Sequence, residues 1–131
     1  DERTALARQQ HWQAVVASAC EQSGRNTVPA VAAPATLPQC LGPAPGLRLL
    51  LAPGDGSRPL SVLLAGATPA GGLPERVELL VGPEGGFDPA ETAAATAAGF
   101  QSCRLGPRIL RTETAGLAAL AALQSLAGDL R

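Results

Sequence analysis

The first candidate for chemistry in this chain is a glycine-rich segment, Leu80-Val81-Gly82-Pro83-Glu84-Gly85-Gly86-Phe87, which continues an apolar run. Because glycine lacks a Cβ, the backbone there can turn through positive φ and bring its own N–H and C=O groups close to a bound molecule. An isolated glycine pair more often makes only a structural turn. Here the five consecutive residues Gly-Pro-Glu-Gly-Gly, at 82–86, lie between the end of a predicted strand and a strong helix start. This position favours a ligand-binding loop.

The loop lacks the patterns of two common nucleotide sites. A phosphate-binding Gly-x-x-x-x-Gly-Lys-Ser/Thr motif requires lysine, and all ten basic side chains of the chain are arginines. A dinucleotide-binding Gly-x-Gly-x-x-Gly motif does not occur either. The sequence therefore disfavours a P-loop NTPase and a Rossmann dehydrogenase.

A second candidate is the segment Leu105-Gly106-Pro107-Arg108-Ile109-Leu110-Arg111-Thr112-Glu113-Thr114-Ala115. In its simplest interpretation, Thr112 caps the following helix, Glu113 complements the helix dipole, and the arginines are solvated. That interpretation leaves Ile109 and Leu110 unexplained, because both are large apolar residues in a predicted loop. Apolar side chains beside glycine amides suit a flat aromatic ligand such as adenine, whose edge backbone groups can bind.

Hydrophobic spacing predicts the helices that position these segments. The first spans about residues 3–23, ends at Gly24, and places five residues on one face: Trp12, Val15, Val16, Ala19 and Cys20. Asp88, Pro89 and Glu91 predict a capping box and a helix over 90–98, closed by Gly99. A final helix over about 113–127 carries four leucines, Leu117, Leu120, Leu123 and Leu126, and Gly128 ends it.

Apolar runs predict strands over residues 47–52, 76–81 and 100–105, whereas residues 60–65 fit either a strand or a helical turn. The Pro/Ala-rich stretch from 25 to 46 is predicted as a loop with at most one short helical turn. Alternating strands and helices indicate an α/β domain with a largely parallel sheet. Ligands of such sheets lie beyond the carboxyl ends of the strands, so both glycine-bearing loops are expected to flank one pocket.

Composition limits the class of protein. The 131 residues fit one domain, and a net charge of −1 argues against a stand-alone nucleic-acid binder that relies on phosphate neutralisation. Cys20, Cys40 and Cys103 form no Cys-x-x-Cys pair, so we expect neither a disulfide framework nor a zinc or other metal site, but three buried thiols. No apolar run reaches about 18 residues, so we expect no membrane partner and a cytoplasmic location.

Three motifs in combination resemble the RsmE family, the bacterial 16S rRNA uridine-N3 methyltransferases of the SPOUT superfamily. They are Gln22-Ser23-Gly24-Arg25-Asn26 with Val28-Pro29, the glycine loop at 80–87 with Glu91, and the segment at 105–115. The resemblance extends from about Arg8 to the C-terminus and is weakest over residues 30–76. It implies methylation of a uridine N3 in the 16S rRNA of the small ribosomal subunit, with S-adenosylmethionine as cofactor.

The resemblance also implies a fold and a site. The fold would be a SPOUT-type, mostly parallel sheet with a C-terminal deep trefoil knot, in a protein that forms a homodimer. Its cofactor pocket would be lined by Leu51, Ala52, Gly82, Pro83, Glu84, Gly85, Gly86, Leu105, Gly106, Ile109, Leu110 and Arg111. Arg25 and Asn26 are candidate contacts to the RNA substrate.

Two departures from the family pattern bear on this interpretation. Members of the family begin with a small β-rich RNA-binding domain and then the first strand and helix of the methyltransferase domain, and neither is found here. We therefore expect residues 1–131 to be a partial methyltransferase domain. Ala52 stands where many relatives have histidine, so no proton-transfer role is assigned to that position.

The chemistry of the reaction suggests roles for two residues. Arg111 is a candidate for stabilising the developing uracil oxyanion, because methylation of N3 requires loss of the imide proton. Glu113 either accepts that proton, directly or through a water, or only anchors the helix N-terminus; both interpretations stay open. Glu84 is expected to shape its loop. The alternative from another class is a non-catalytic module that binds the cofactor or dimerises without binding RNA.

Overall fold

The computed structural model describes residues 1–130, which divide into two compact units, Asp1–Cys40 and a second from Leu41 onward. The first unit contains helix α1 (Glu2–Ser23) and the single turn α2 (Leu37–Cys40). The Asp1 carboxylate accepts a hydrogen bond from the Thr4 amide at 2.8 Å, which caps the start of α1. Gly24 ends the helix in the left-handed conformation, with φ of 75°. The predicted first helix and its stop are thus confirmed.

The predicted buried face of α1 is wrong in part, since Trp12 and Val15 are exposed. The chain that returns after α1 covers a different side of the helix. Gln13 donates to the Pro29 carbonyl and accepts from the Val31 amide, and Gln9 donates to the Val31 carbonyl. Polar bonds to the following loop, rather than the apolar stripe, therefore decide which side of α1 is covered within this unit.

The second unit is built on a four-stranded parallel sheet in the order β2-β4-β1-β3. Its strands are β1 (Leu47–Leu51), β2 (Arg58–Pro59), β3 (Val77–Val81) and β4 (Gln101–Arg104). In the register, Leu49 lies beside Leu79 on one side and Gln101 on the other. The parallel α/β prediction is confirmed, and the carboxyl ends of the strands share one edge of the sheet.

Three helices follow the strands: α3 (Leu60–Ala67), α4 (Pro89–Ala97) and α5 (Thr112–Ala127). Residues 60–67 form a helix, which decides between the two predicted alternatives for that run. The capping box of α4 is present, because the Asp88 carboxylate accepts from the Glu91 amide at 2.7 Å and the Glu91 carboxylate accepts from the Asp88 amide at 2.9 Å. Gly99 follows α4 with φ of 93°, as the sequence predicts.

Alternating side chains of β1 supply both hydrophobic clusters of this unit. The larger cluster joins β1, α3, β4 and α5 through Leu47, Leu49, Leu60, Leu63, Leu64, Cys103, Leu123 and Ala127. The smaller one joins Leu50 to Ala95 of α4 and to Phe100. The buried stripe of α5 is Ala115, Ala119, Leu123 and Ala127, so only one of its four predicted leucines, Leu123, faces the core. Small residues let α5 lie close to the sheet, and Leu117, Leu120 and Leu126 are exposed.

Arg48, in the middle of the leucine-rich β1, is 4% exposed. Its Nε donates to the Glu78 carboxylate at 2.6 Å and its Nη1 to the Ala98 carbonyl at 2.7 Å. The guanidinium also lies 4.3 Å from the centroid of the Phe100 ring. Arg76 donates to the other oxygen of Glu78. The sequence interpretation describes residues 47–52 as a buried strand of mostly leucine and assigns no role to Arg48, so it misses this buried ionic group.

The three cysteines are free thiols, but the expectation that all are buried is wrong, because Cys40 is exposed. Burial raises the pKa of the Cys103 thiol to about 11, although the positive charge of Arg104 acts to lower it. Within residues 1–130, no three His, Cys, Asp or Glu side chains cluster closely enough to hold a metal ion. Over the same residues, no helix has the length and apolar character needed to cross a membrane.

Candidate functional site

A cavity of about 850 Å³ opens at the carboxyl edge of the sheet, within the second unit. Its walls come from the turn after β1, the loop after β3, and the segment that leads into α5. The lining residues are Leu51, Ala52, Pro53, Gly54, Asp55, Val81, Gly82, Pro83, Glu84, Gly85, Gly86, Phe87, Thr92, Ser102, Ile109, Leu110, Arg111, Thr112 and Ala115. The volume lies in the range of small-molecule sites.

The glycine loop forms one wall as a tight turn. The Gly86 amide donates to the Pro83 carbonyl at 2.8 Å, and Gly86 has φ of 74°, which side chains with a Cβ rarely adopt. At Gly82 the requirement is steric, because a Cβ there would lie 2.9 Å from the Phe87 ring. Gly85 differs from both, since a Cβ would meet no atom within 4 Å. The space beside Gly85 is therefore open.

The opposite wall is the irregular segment between β4 and α5. Gly106 turns the chain with φ of 92°, and the segment then carries Ile109 and Arg111 to the cavity. Ile109 is 81% exposed even though it lines a concave surface. An apolar side chain left so open at a cavity wall favours a ligand with an apolar surface to cover it.

One hydrogen bond joins the two walls. The Thr112 hydroxyl donates to the Gly82 carbonyl at 2.9 Å, across 30 residues of sequence. Thr112 is therefore not the helix cap that the simplest interpretation predicts; Arg111 occupies the cap position and makes no capping bond with its side chain. The interpretation assigned Thr112 to its own helix and missed this link.

The charged groups at the cavity are two carboxylates, Asp55 and Glu84, and one guanidinium, Arg111, among the described lining residues. The Arg111 guanidinium lies 4.0 Å from the Glu113 carboxylate, with the two side chains 86% and 64% exposed. An ion pair this open is weak, because solvent screens it. Arg111 is thus free to face a ligand.

The structure brings most of the predicted cofactor residues to this one cavity: Leu51, Ala52, Gly82, Pro83, Glu84, Gly85, Gly86, Ile109, Leu110 and Arg111. Leu105 and Gly106 are not among its lining residues, since Leu105 packs against the larger hydrophobic cluster and Gly106 turns the chain. Glu113 is not a lining residue either. Arg25 and Asn26 are exposed in the first unit, and their contact with RNA stays a prediction.

Sequence reasoning missed several lining residues, above all Pro53, Gly54 and Asp55. The turn they form follows a strand, just as the glycine loop does, and that position was the available signal. Thr92 and Ser102 belong to regular elements, where no local pattern marks them as part of a site.

The sequence matches the family described as RNA methyltransferase domain over residues 2–124. It is 40% identical to the ribosomal RNA small subunit methyltransferase E of a Synechocystis species, over 95% of this chain and 42% of that protein. It is 38% identical to the protein of the same name from Buchnera aphidicola of Schizaphis graminum, over 92% of this chain and 46% of the relative. The chain thus spans about half the length of the curated relatives it matches.

Solved structures are similar as well. A ribosomal RNA small subunit methyltransferase E from Neisseria gonorrhoeae bound to S-adenosylmethionine matches with a TM-score of 0.86 and 41% identity, over 98% of this chain and 52% of that one. A Legionella pneumophila protein described as a methyltransferase, also with bound S-adenosylmethionine, matches with a TM-score of 0.82 and 36% identity, over 95% and 49%. The predicted resemblance is confirmed, and the chain belongs to the RNA methyltransferase domain family.

Proposed function

We propose that the cavity at the carboxyl edge of the sheet binds S-adenosylmethionine and that the protein methylates ribosomal RNA. The observation that carries the proposal is the convergence of two separate segments, 82–87 and 109–112, on one cavity in a member of an RNA methyltransferase family. The two similar structures named above contain the same cofactor.

The cavity fits this cofactor in shape and surface. Its volume of about 850 Å³ is ample for a nucleoside with an amino-acid tail. The exposed Ile109 offers an apolar surface to an adenine ring, and the open backbone around Gly85 permits close approach of a ligand.

The charge of the cavity also fits. S-adenosylmethionine is a cation overall, because its sulfonium and ammonium groups outweigh its carboxylate. The described lining residues carry two carboxylates and one guanidinium, so their net charge is negative and complements the positive charge of the cofactor. Arg111 remains available for a group of opposite charge.

We further propose that the acceptor is the N3 atom of a uridine in the 16S rRNA of the small ribosomal subunit. When bound, the cofactor supplies an electrophilic methyl group. Arg111, the cationic residue of the described lining, is suited to stabilise negative charge on the uracil as its imide proton leaves. Glu113 lies beside Arg111 and outside the cavity lining, so it either receives the proton through a water or anchors α5.

The trefoil knot and the homodimer belong to the same proposal. In support of the knot, β4 lies between β1 and β2, both of which precede it in the chain, and threading through an earlier connection would produce that order. In support of the dimer, α5 leaves Leu117, Leu120 and Leu126 exposed. Sedimentation equilibrium checks the dimer: a monomeric mass at micromolar concentration contradicts it.

Cofactor binding is tested by titration calorimetry with S-adenosylmethionine on the protein at its full encoded length. In the Gly85→Val variant the new side chain enters open space beside the cavity without a clash, so we expect a loss of affinity of at least about tenfold with the fold intact. Gly42→Val is the matched control, because Gly42 is exposed, also has open space, and lies outside the cavity lining. No binding by the unsubstituted protein, or equal loss in both variants, contradicts the cofactor assignment.

The reaction is tested by transfer of labelled methyl groups to small ribosomal subunits, followed by nucleoside analysis of the product. The proposal predicts 3-methyluridine, and it predicts that Arg111→Ala lowers the rate of methyl transfer by a larger factor than it lowers the affinity for the cofactor. A methylated base other than uridine contradicts the assigned acceptor. Cofactor binding without any transfer supports the non-catalytic alternative.

A further inference from the structure

We propose that Thr112 is a positioning residue whose hydroxyl fastens the glycine loop to the start of α5 and thereby sets the separation of the two cavity walls. This inference rests on the proposed function, because the separation matters for binding only if the walls hold the cofactor. The link is the 2.9 Å bond from the Thr112 hydroxyl to the Gly82 carbonyl.

The hydroxyl acts between segments, away from its own helix. Arg111 is the cap residue of α5, and its carbonyl accepts from the Thr114 and Ala115 amides at 3.0 and 2.9 Å, so the first turn forms without help from the Thr112 side chain. Loss of the hydroxyl should therefore leave α5 formed. What it removes is a bond between residues 30 apart in the chain.

The receiving carbonyl lies where the strand becomes the loop. Gly82 directly follows the last residue of β3, and the Phe87 ring is so close to it that a Cβ would clash. Gly82 is thus held on one side by the ring and at its carbonyl by the hydroxyl. The turn that follows is closed by a hydrogen bond from the Gly86 amide to the Pro83 carbonyl. The position of Gly82 therefore sets the orientation of this turn.

Close packing of α5 against β3 makes the short link feasible. A Cβ at Gly116, one turn after Thr112, would lie 3.8 Å from the Val81 side chain, and Ala115 is buried. Small residues at both positions bring the helix near enough for a threonine hydroxyl to reach the loop. A loop already fixed in its binding geometry loses less conformational freedom when a ligand binds, which strengthens binding.

Three variants test the role. Thr112→Val keeps the shape and removes the hydroxyl, Thr112→Ser keeps the hydroxyl, and Thr114→Val makes the same change at an exposed neighbour in the same turn. We expect Thr112→Val to raise the Kd for S-adenosylmethionine by about five- to tenfold, because the free loop is no longer fixed by a hydrogen bond and must be ordered when the ligand binds. Thr112→Ser and Thr114→Val should stay within about twofold of the unsubstituted protein.

A second measurement follows the loop without any ligand. Hydrogen exchange of the Gly86 amide, read by NMR, should accelerate in Thr112→Val and recover in Thr112→Ser, whereas a merely destabilised fold would accelerate amides in β1 and β4 equally. If Thr112→Val does not fold, Thr112→Ala is subjected to the same two measurements with the same expectations.

The outcomes separate this inference from the proposed function. Normal binding by the unsubstituted protein together with unchanged affinity in Thr112→Val overturns the role of Thr112 and leaves the cofactor assignment standing. Absence of binding by the unsubstituted protein overturns the cofactor assignment and this role together. Failure of Thr112→Ser to restore affinity also overturns it, because the hydroxyl would not be the cause.

Discussion

The two ends of the parallel sheet are built in opposite ways. At the amino end of β1, directly after Gly46, Arg48 and Arg76 both donate to the Glu78 carboxylate, and the Leu47 amide donates to the Arg76 carbonyl at 2.9 Å. At the carboxyl end, the strands stop at glycine-bearing turns around an open cavity. The same strands therefore end in a tightly bonded group on one side of the sheet and in the proposed ligand site on the other.

The glycines show the difference most directly. Gly46 has φ of 100° and no room for a side chain, because a Cβ would clash with the backbone of Arg76. A Cβ at Gly85 would meet no atom within 4 Å. The lesson is that Gly46 permits close packing of the protein against itself, whereas Gly85 leaves space beside the cavity. If the two ends differ in this way, substitutions at the amino end should change stability and substitutions at the carboxyl end should change binding.

The largest effect on stability is expected from Gly46→Ala. The substitution places a Cβ in the left-handed region and against the Arg76 backbone, and we expect it to lower the free energy of unfolding by about 3–4 kcal/mol. Urea unfolding followed by circular dichroism measures this. A loss below about 1 kcal/mol contradicts the close packing at this end.

A smaller loss is expected from Arg48→Met. Methionine retains much of the apolar stem, but it leaves the Ala98 carbonyl without this donor and Glu78 with only Arg76 as a partner. We expect the free energy of unfolding to fall by about 2–3 kcal/mol. The same unfolding measurement applies. Arg76→Met is the matched control: it removes the more exposed partner of Glu78 and should cost less than half as much, because exposed pairs are screened. Equal losses of unfolding free energy in the two variants would show that the exposed Arg76 stabilises the fold as much as the buried Arg48.

The pH dependence of stability follows from the same ionic group. Burial raises the pKa of Glu78, which is 21% exposed, but hydrogen bonds from Arg76 and Arg48 and their charges lower it below the ordinary value of 4.5. A carboxyl group with a lowered folded pKa contributes stability above its unfolded pKa and loses that contribution as pH falls through the folded value. Stability should therefore decline below about pH 4.5.

Unfolding measured from about pH 6 to about pH 3 tests this, with Glu78→Gln as the reference because glutamine does not titrate. The decline should be shallower in Glu78→Gln than in the unsubstituted protein. Parallel curves for the two proteins would show that Glu78 does not supply the acid sensitivity.

The smallest effect on stability is expected at the carboxyl end, from Gly85→Val. Its side chain meets no protein atom, so the free energy of unfolding should change by less than about 0.5 kcal/mol even though ligand affinity falls. The reverse should hold for Arg48→Met, with lower stability and unchanged affinity for S-adenosylmethionine in conditions where it is folded. A large stability loss in Gly85→Val would break the contrast between the two ends.

Local patterns in the sequence sufficed for most elements and for the loops of the site. The capping box at Asp88, the glycine stop at Gly24, and the apolar runs at β1 and β3 are signals that a few neighbouring residues generate by themselves. The run over 60–65, which lies in α3, is ambiguous in the sequence, because a short apolar run fits a buried strand equally well. The motifs at 80–87 and 105–115 identified the family, since their residue types and spacing are specific.

Three features depend on contacts between residues that are distant in the chain, and the sequence did not predict them. Trp12 on α1 is exposed because the loop after the helix bonds to Gln9 and Gln13, and no periodicity reveals where a loop returns. Arg48 is buried because Glu78, 30 residues away, lies beside it in the sheet. The Asp55 turn joins the site because parallel strands end at one edge.

The sequence by itself determined the class of fold, the two segments of the site and the family, because each is encoded in residues that are close together in the chain. Only the tertiary structure decided which side chains share the cavity, which charge is buried, and that Thr112 bonds to Gly82. Those properties depend on strand order and helix approach, which bring residues about 30 positions apart within hydrogen-bonding distance. Hydrogen bonds require distances near 3 Å, so only the packed chain selects its partners.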